Sequence, residues 1–273
     1  MGKETQKAQK ATMALIDLET GIIPSTEALK EVLTGLEELG DEIRISDLGT
    51  VAIGGGGSGT FKVREPGAEE PENGVKAVEG VIIAHHRVNI RWAKPFSERG
   101  DDERPACKSV DGVTGISAAG EVIACETCPY NRFGEDGERK ACSNKHQLYI
   151  LRAGELFPVL MSLPPSALKA WRNYTLHCLT KPRVPVHRVL TRITLKNLKN
   201  PQKIEYSAPV FEAVALLPES TAEQLKAFGA SLKAQLQKAR LVADEDMAPA
   251  RANAPAAAGE GGFIRVDESE MPF

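Results

Sequence analysis

Residues 107–142 read CKSVDGVTGISAAGEVIACETCPYNRFGEDGERKAC and contain four of the chain's five cysteines. Cys125 and Cys128 form a C-x-x-C pair, and two thiolates on such a tight turn can bind one side of a tetrahedral ion. Cys107 and Cys142 flank the pair and can supply the two remaining ligands. The spacing therefore predicts one structural zinc ion (Zn2+) per chain, bound by four thiolates with no coordination position left open.

Disulfide bonds are the alternative for these cysteines. The fifth cysteine, Cys178, makes the number odd, and residues 1–12 lack the apolar run of a signal peptide. The sequence also contains no apolar stretch long enough to span a bilayer. We therefore expect a cytoplasmic protein without membrane association and favour metal binding, with disulfides kept as the open alternative.

Charge is strongly segregated along the chain, although the formal net charge is only -3. Residues 139–240 contain 17 Lys and Arg against 5 Asp and Glu, whereas residues 1–138 contain 15 against 25. Residues 241–273 are acidic again, with 2 against 7. A basic block beside an acidic tail indicates a polyanion-binding surface and a competitor for it, unless these charges only solvate helix and strand faces.

Composition divides the chain into three parts. Residues 1–12 are polar and predicted to be disordered, residues 13–242 form the folded domain, and residues 243–273 form a disordered linker with an acidic tip. Hydrophobic periodicity predicts helices over 25–40, 164–179 and 219–241, and strands over 43–53, 60–64, 75–92, 146–151, 156–161, 183–195 and 204–217. In the second helix we expect Leu168, Trp171, Leu176 and Leu179 on the buried side.

A glycine-rich run, GGGGSG at residues 54–59, separates the first two predicted strands. Such a run can bind phosphates, but this one lacks the Gly-Lys-Ser/Thr ending of a P-loop and no helical pattern follows it. We interpret it as a mobile hairpin loop.

The chain ends with residues 266–273, VDESEMPF, in which acids precede an apolar Met-Pro-Phe. This ending resembles the acidic C-terminal tip of bacterial single-stranded DNA-binding proteins. The resemblance implies that the tip recruits replication, recombination and repair proteins and competes with DNA for the binding domain. The partner-binding residues that it implies are Asp267, Glu268, Glu270, Met271, Pro272 and Phe273.

The body of the chain is similar in plan to phage helix-destabilising proteins, in which an oligonucleotide-binding (OB) barrel carries a zinc-bearing insertion and precedes an acidic tail. The resemblance implies an α+β fold with an OB-like antiparallel β-barrel core, a zinc-binding insertion, flanking helices and a disordered tail. It also implies the cytoplasm of a bacterial host, with a phage or plasmid as the source of the gene.

A single-strand binding site needs cations for the backbone and ring faces for the bases. At the end of the strand predicted over 75–92, Arg87, Asn89 and Arg91 share one face and Trp92 lies on the other. Trp171 is a further candidate for stacking, and each of the tryptophans has a core position as its alternative. The candidate DNA contacts are Arg87, Arg91, Trp92, Lys94, Tyr130, Tyr149, Arg183, Arg188, Arg192, Lys196 and Lys199.

The sequence therefore predicts a non-enzymatic protein that coats and protects single-stranded DNA with little sequence specificity; self-association is left open. The first alternative is a zinc-ribbon adaptor that binds proteins, which leaves the basic block without a role. The second is a zinc-dependent nucleic-acid-processing enzyme. A deaminase would need an H-x-E frame before its C-x-x-C, but Arg87 and Val88 follow His85 and His86.

Overall fold

The computed structural model describes residues 26–39, 48–94, 98, 104–134, 140–199, 203 and 205–245. These residues form three α-helices: α1 (Thr26–Leu39), α2 (Leu168–Thr180) and α3 (Glu219–Glu245). They also form eleven strands: β1 (Thr50–Ile53), β2 (Phe61–Arg64), β3 (Glu72–Val75), β4 (Ala77–Arg91), β5 (Cys107–Ser109), β6 (Thr114–Ser117), β7 (Val122–Ala124), β8 (Cys142–Leu151), β9 (Val159–Leu163), β10 (Val189–Lys199) and β11 (Glu205–Leu216).

The described strands form one sheet with the order β3-β2-β1-β9-β8-β4-β5-β6-β7, and β10 and β11 continue from β4. All pairs are antiparallel except β1 with β9. The long strand β4 is central because β8 pairs along one of its edges, while β10 and then β5 pair along the other. A single strand therefore connects the main sheet to the segment that contains the cysteines.

The predicted α+β class is confirmed, but the sheet is open. In the described part of the chain, the end strands β3 and β11 do not pair with each other, so the OB-like barrel closure that we expected is not observed. The loop between β1 and β2 instead contacts the β10–β11 hairpin, where the Gly59 N–H donates to the Ser207 hydroxyl at 3.0 Å. A hydrogen bond to a side chain therefore connects these two hairpins, where a closed barrel would have a ladder of backbone hydrogen bonds.

The glycine-rich loop is also held across its own base. The Gly54 N–H donates to the Thr60 carbonyl at 2.9 Å. Gly57 has φ +67°, and a Cβ there would lie 2.9 Å from the Glu205 Cβ. The antiparallel pairing of β1 with β2 confirms the predicted hairpin. The mobility that we expected of the loop stays a prediction.

Two hydrophobic clusters occupy the two faces of the sheet. The inner face, which we define by Phe61, Ile82 and Leu148, packs against α2 through Trp171. The outer face packs against α1 and α3. The buried residues of this cluster include Val81, Ile83, Tyr149 and Leu151 of the sheet and Leu225, Phe228, Leu232 and Leu236 of α3. Burial of these two apolar faces supplies the main driving force for the fold.

The helices follow the periodicity of the sequence except on one side of α2. The structure buries Trp171, Tyr174 and Cys178, whereas the expected core residues Leu176 and Leu179 are 53% and 56% exposed. The Tyr174 hydroxyl reaches Thr191 on β10 at 2.7 Å, so a tyrosine with a satisfied polar end takes the buried position. Among the described helices, none combines the length and apolar composition needed to cross a membrane.

A register shift in β4 decides which residues reach the inner face. Between Ile82 and Ala84 the pairing with β8 slips by one residue, so Ile83 and Ala84 both contact the outer cluster. Beyond this bulge the alternation is inverted, and the His85 ring lies 5.2 Å from that of Trp171 in the inner cluster. Alternation then places Arg87, Asn89 and Arg91 on the inner face as well.

We predict that Gly229→Ala in α3 destabilises the protein by about 1–3 kcal/mol, because the added methyl group overpacks the contact with β4. Its Cβ would lie 2.4 Å from the Ile83 carbonyl oxygen. Urea unfolding followed by circular dichroism measures the change in the free energy of unfolding.

Gly35→Ala in α1 is the matched control, because a Cβ there meets no atom within 4 Å. Removing a helical glycine without a clash should stabilise the protein by up to about 1 kcal/mol. Equal effects of the two substitutions would contradict the close approach of α3 to β4.

Candidate metal centre and nucleic-acid surface

The four cysteines of residues 107–142 line one cavity at the end of β4. Cys107 begins β5 and Cys142 begins β8, and both pair with Arg91 from its two sides. Cys125 and Cys128 lie in the turn that follows β7. The sheet register and this turn thus bring together the four residues predicted from the spacing.

The thiols influence one another electrostatically. Burial raises the pKa of Cys107, and the neighbouring thiols of Cys125 and Cys128 raise it further. Burial and the same kind of proximity raise the pKa of Cys142 to about 11. Arg91 acts in the opposite direction on Cys107 and Lys140 on Cys142, because a nearby cation favours the thiolate.

All five cysteines are free thiols, so the structure contains none of the disulfides of the alternative interpretation. Among the described residues, no group of three or more His, Cys, Asp or Glu side chains is arranged to hold an ion as the side chains stand. The cavity therefore brings four thiols to one place without forming a complete coordination sphere. A cysteine side chain reorients by rotation about χ1, so the position of each thiol can change while the backbone stays in place.

An asparagine network connects the cysteine turn to the sheet. The Asn144 amide donates to Asn89 at 2.7 Å and to Asn131 at 2.9 Å. The Lys140 ammonium donates to the Asn144 side-chain oxygen at 3.1 Å. Asn131 in turn donates to the Cys125 carbonyl at 2.8 Å. The backbone of the C-x-x-C turn is thereby fixed relative to β4 and β8.

Sequence reasoning missed the role of Asn144, although a signal for it is present. Cys142, Asn144 and His146 alternate along β8, and a strand places such residues on one face. Asn89 occupies the opposing position on β4, where it pairs with Asn144. The alternation of residues along a strand, counted from a candidate ligand such as Cys142, therefore identifies the residues that support this cysteine.

Two exposed rings beside the cavity lie under cations. The Arg91 guanidinium carbon lies 4.0 Å from the centroid of the Tyr130 ring, and the Lys140 ammonium lies 5.1 Å from that of Phe133. Tyr130 is 46% exposed and Phe133 is 69% exposed. These cation–π contacts were not apparent from the sequence, because Arg91 and Tyr130 are far apart along the chain.

A histidine pair continues the inner face beyond Arg87. Nδ1 of His85 lies 3.0 Å from Nε2 of His146, and both rings contact Trp171. Burial, with the charges of His85 and Arg87, lowers the pKa of His146 to about 4. His146 is therefore neutral at neutral pH and contributes a polar ring to this surface without a fixed charge.

The predicted DNA-contacting cations do not form one groove. Arg87 and Arg91 lie on the inner face, whereas Arg192 and Lys196 lie on the outer side of β10, because Ile193 between them packs into the inner cluster. Arg183 is exposed in the loop after α2, where its φ is 69°. The candidate cations are thus divided between separate surfaces.

Three of these cations already have carboxylate partners. Arg192 pairs with Glu79 at 2.8 Å, Lys199 with Glu205 at 3.1 Å and Arg188 with Glu219 at 3.5 Å. A phosphate would have to compete with each of these carboxylates. Their contribution to binding is therefore smaller than their number in the sequence suggested.

Two predicted stacking residues belong to the core. Tyr149 is 0% exposed and Trp171 is 5% exposed, so neither ring offers a free face to a base. Trp92 and Lys94 follow β4, the former half-buried and the latter exposed. Tyr130 is the predicted stacking residue with the greatest exposure. The tip residues 267–273 lie outside the described part of the chain.

No protein-family model matches this chain, and searches of curated proteins and of solved structures find no significant match to it. The residues and their geometry are therefore the basis for a functional proposal.

We predict that Asn144→Ala destabilises the protein by about 1–3 kcal/mol, because it leaves the side-chain oxygen of Asn89, a residue that is only 4% exposed, without its donor. Asn73→Ala is the control, since that amide makes one exposed hydrogen bond to Pro71, and its loss should change stability by less than about 0.5 kcal/mol. Thermal unfolding measures both effects. Equal losses of stability would argue against a supporting role for the network.

Proposed function

We propose that the protein binds single-stranded DNA with little sequence specificity through the inner face at the cysteine end of the sheet. The supporting observation is the character of this surface. Its rows on β4, β5 and β8 carry cations and neutral polar side chains; they are His85, Arg87, Asn89, Arg91, Cys107, Ser109, Cys142, Asn144 and His146, of which Asn89, Ser109 and Cys142 are buried. The Asp111 carboxylate lies beside these rows and accepts from the Ser109 hydroxyl at 3.0 Å.

The two arginines of this surface suit a phosphate backbone. Arg87 is exposed and makes no ion pair with a described carboxylate, in contrast to Arg188, Arg192 and Lys199. Arg91 lies four residues further along the same strand, on the same face. A cation that is not paired with a described carboxylate suits a nonspecific single-strand site, since the backbone supplies its charge at every nucleotide.

We further propose that the cysteine cavity binds one structural Zn2+. Four thiolates around zinc give the site a net charge of about -2, which Arg91 near Cys107 and Lys140 near Cys142 offset. The asparagine network orients the turn that carries two of the ligands, as supporting residues do in metal sites. Bound zinc would supply a rigid link between β5, β7 and β8.

Recruitment of replication and recombination proteins through residues 267–273 remains a prediction of the resemblance. The adaptor function is the second candidate, because two apolar side chains of the β6–β7 region are exposed: Val113 at 67% and Val122 at 74%. Absence of DNA binding at low salt, with retained binding of a protein partner, would favour the adaptor.

The zinc proposal predicts one zinc per chain in the purified protein, lost in Cys125→Ser. Cys178→Ala is the matched control, because Cys178 lies in α2 within the inner cluster and away from the cavity. Elemental analysis of the two variants measures the metal content. Retention of zinc by Cys125→Ser, or an equal loss from Cys178→Ala, would refute the proposed ligand set.

The DNA proposal predicts that the wild-type protein binds oligo-dT with steep salt dependence and that Arg87→Gln reduces this dependence. Loss of one phosphate contact lowers the slope of log Kobs against log salt by about 0.7 for a single strand. Arg192→Gln is the control, because Arg192 is paired with Glu79 on the outer side of β10 and should leave the slope unchanged. Fluorescence anisotropy over a salt series measures both.

Equal slopes for wild type and Arg87→Gln would place the binding surface elsewhere. A reduced slope for Arg192→Gln alone would move it to the outer side of β10.

A further inference from the structure

We propose that the cysteine turn itself carries a nucleobase-stacking platform made of the Tyr130 and Phe133 rings. The inference rests on the proposed binding of single-stranded DNA and specifies where the bases, as distinct from the phosphates, are bound.

Local hydrogen bonds position Tyr130. It lies in a 3₁₀ turn, Pro129–Asn131, directly after Cys128. The turn is closed by the Asn131 N–H, which donates to the Cys128 carbonyl at 3.1 Å, and by the Asn131 side chain, which donates to the Cys125 carbonyl at 2.8 Å. The ring therefore projects from a fixed backbone segment.

One face of the Tyr130 ring is covered and the side chain nevertheless remains 46% exposed. The Arg91 guanidinium covers that face at 4.0 Å from the centroid. The guanidinium covers one face only, so the exposed part of the residue can include the opposite face and the edge of the ring. A base placed there would complete a stack of guanidinium, phenol ring and base, an arrangement in which the cation also lies near the strand's phosphates.

Phe133 repeats this arrangement three residues later. Its ring is 69% exposed, and the Lys140 ammonium lies 5.1 Å from its centroid. An exposed phenylalanine ring beside a cation offers a face on which a base can stack. Two such rings on one short segment suit successive bases, and ring stacking tolerates any base sequence.

The position of the platform couples it to the cysteine cavity. Tyr130 follows Cys128 by two residues, and Arg91 lines the cavity together with all four cysteines. Removal of a bound metal would therefore weaken the base-dependent part of binding more than the phosphate-dependent part. A peptide segment is the other ligand that exposed rings can bind, and the test distinguishes it.

The test compares binding of the full-length chain to a dT oligonucleotide and to an abasic oligonucleotide of the same length. Tyr130→Leu should weaken dT binding by roughly 5- to 150-fold, the range expected for loss of one stacking contact, and leave abasic binding unchanged. Tyr130→Phe retains the ring and should restore dT binding to within a few-fold of wild type. Tyr206→Leu, on β11, controls for loss of a tyrosine elsewhere.

Cross-linking gives a second measurement that needs no variant. Irradiation of the wild-type complex with an oligonucleotide containing 5-iodo-deoxyuridine should attach a base to Tyr130 or Phe133, as located by mass spectrometry. Attachment only at other residues would overturn the proposal.

The remaining outcomes separate this proposal from the proposed function. Wild-type-like dT binding by Tyr130→Leu, or an equal loss on dT and abasic strands, would overturn the platform while DNA binding itself stands. Failure of the wild-type protein to bind either oligonucleotide at low salt would overturn both. Loss of a peptide ligand in Tyr130→Leu, with dT binding intact, would assign the rings to protein recognition.

Discussion

The slip of register between Ile82 and Ala84 is the constraint on which the candidate site depends. Before it, β4 alternates two apolar faces, as a strand between two hydrophobic clusters must. After it, the alternation is inverted and the polar residues Arg87, Asn89 and Arg91 point to the inner face. One strand thereby serves as core in its first half and carries the candidate surface in its second half.

The same strand explains how distant cysteines meet. Cys107 and Cys142 are separated by a long stretch of sequence, yet both pair with Arg91 because β5 and β8 lie on its two sides. The C-x-x-C turn closes over this end of the sheet and is held by Asn144 through Asn131. The order of the strands therefore forms the cavity, and the hydrogen bonds of the asparagines fix the turn relative to those strands.

Local pattern predicted much of the secondary structure and little of the topology. Helix spacing identified α1, α2 and α3, since the period of 3.6 is a property of neighbouring residues. The open sheet, the parallel pair of β1 and β9 and the bulge in β4 depend on contacts between distant segments, which periodicity does not encode.

Tyr149 illustrates the limit for single site residues, because an aromatic residue in a strand suits both a core and a stacking surface until the packing is known. Charge totals likewise failed to reveal that Arg188, Arg192 and Lys199 lie beside carboxylates.

The glycines of the glycine-rich loop differ in how closely they approach the opposite hairpin. Gly57 and Gly59 touch Glu205 and Asn197 of the opposite hairpin, whereas a Cβ at Gly55 meets no atom within 4 Å. The φ of Gly55 is also not positive, so this position accepts an ordinary side chain. A fluorophore attached here would leave the contact between the hairpins in place, whereas the same label two residues later would separate them.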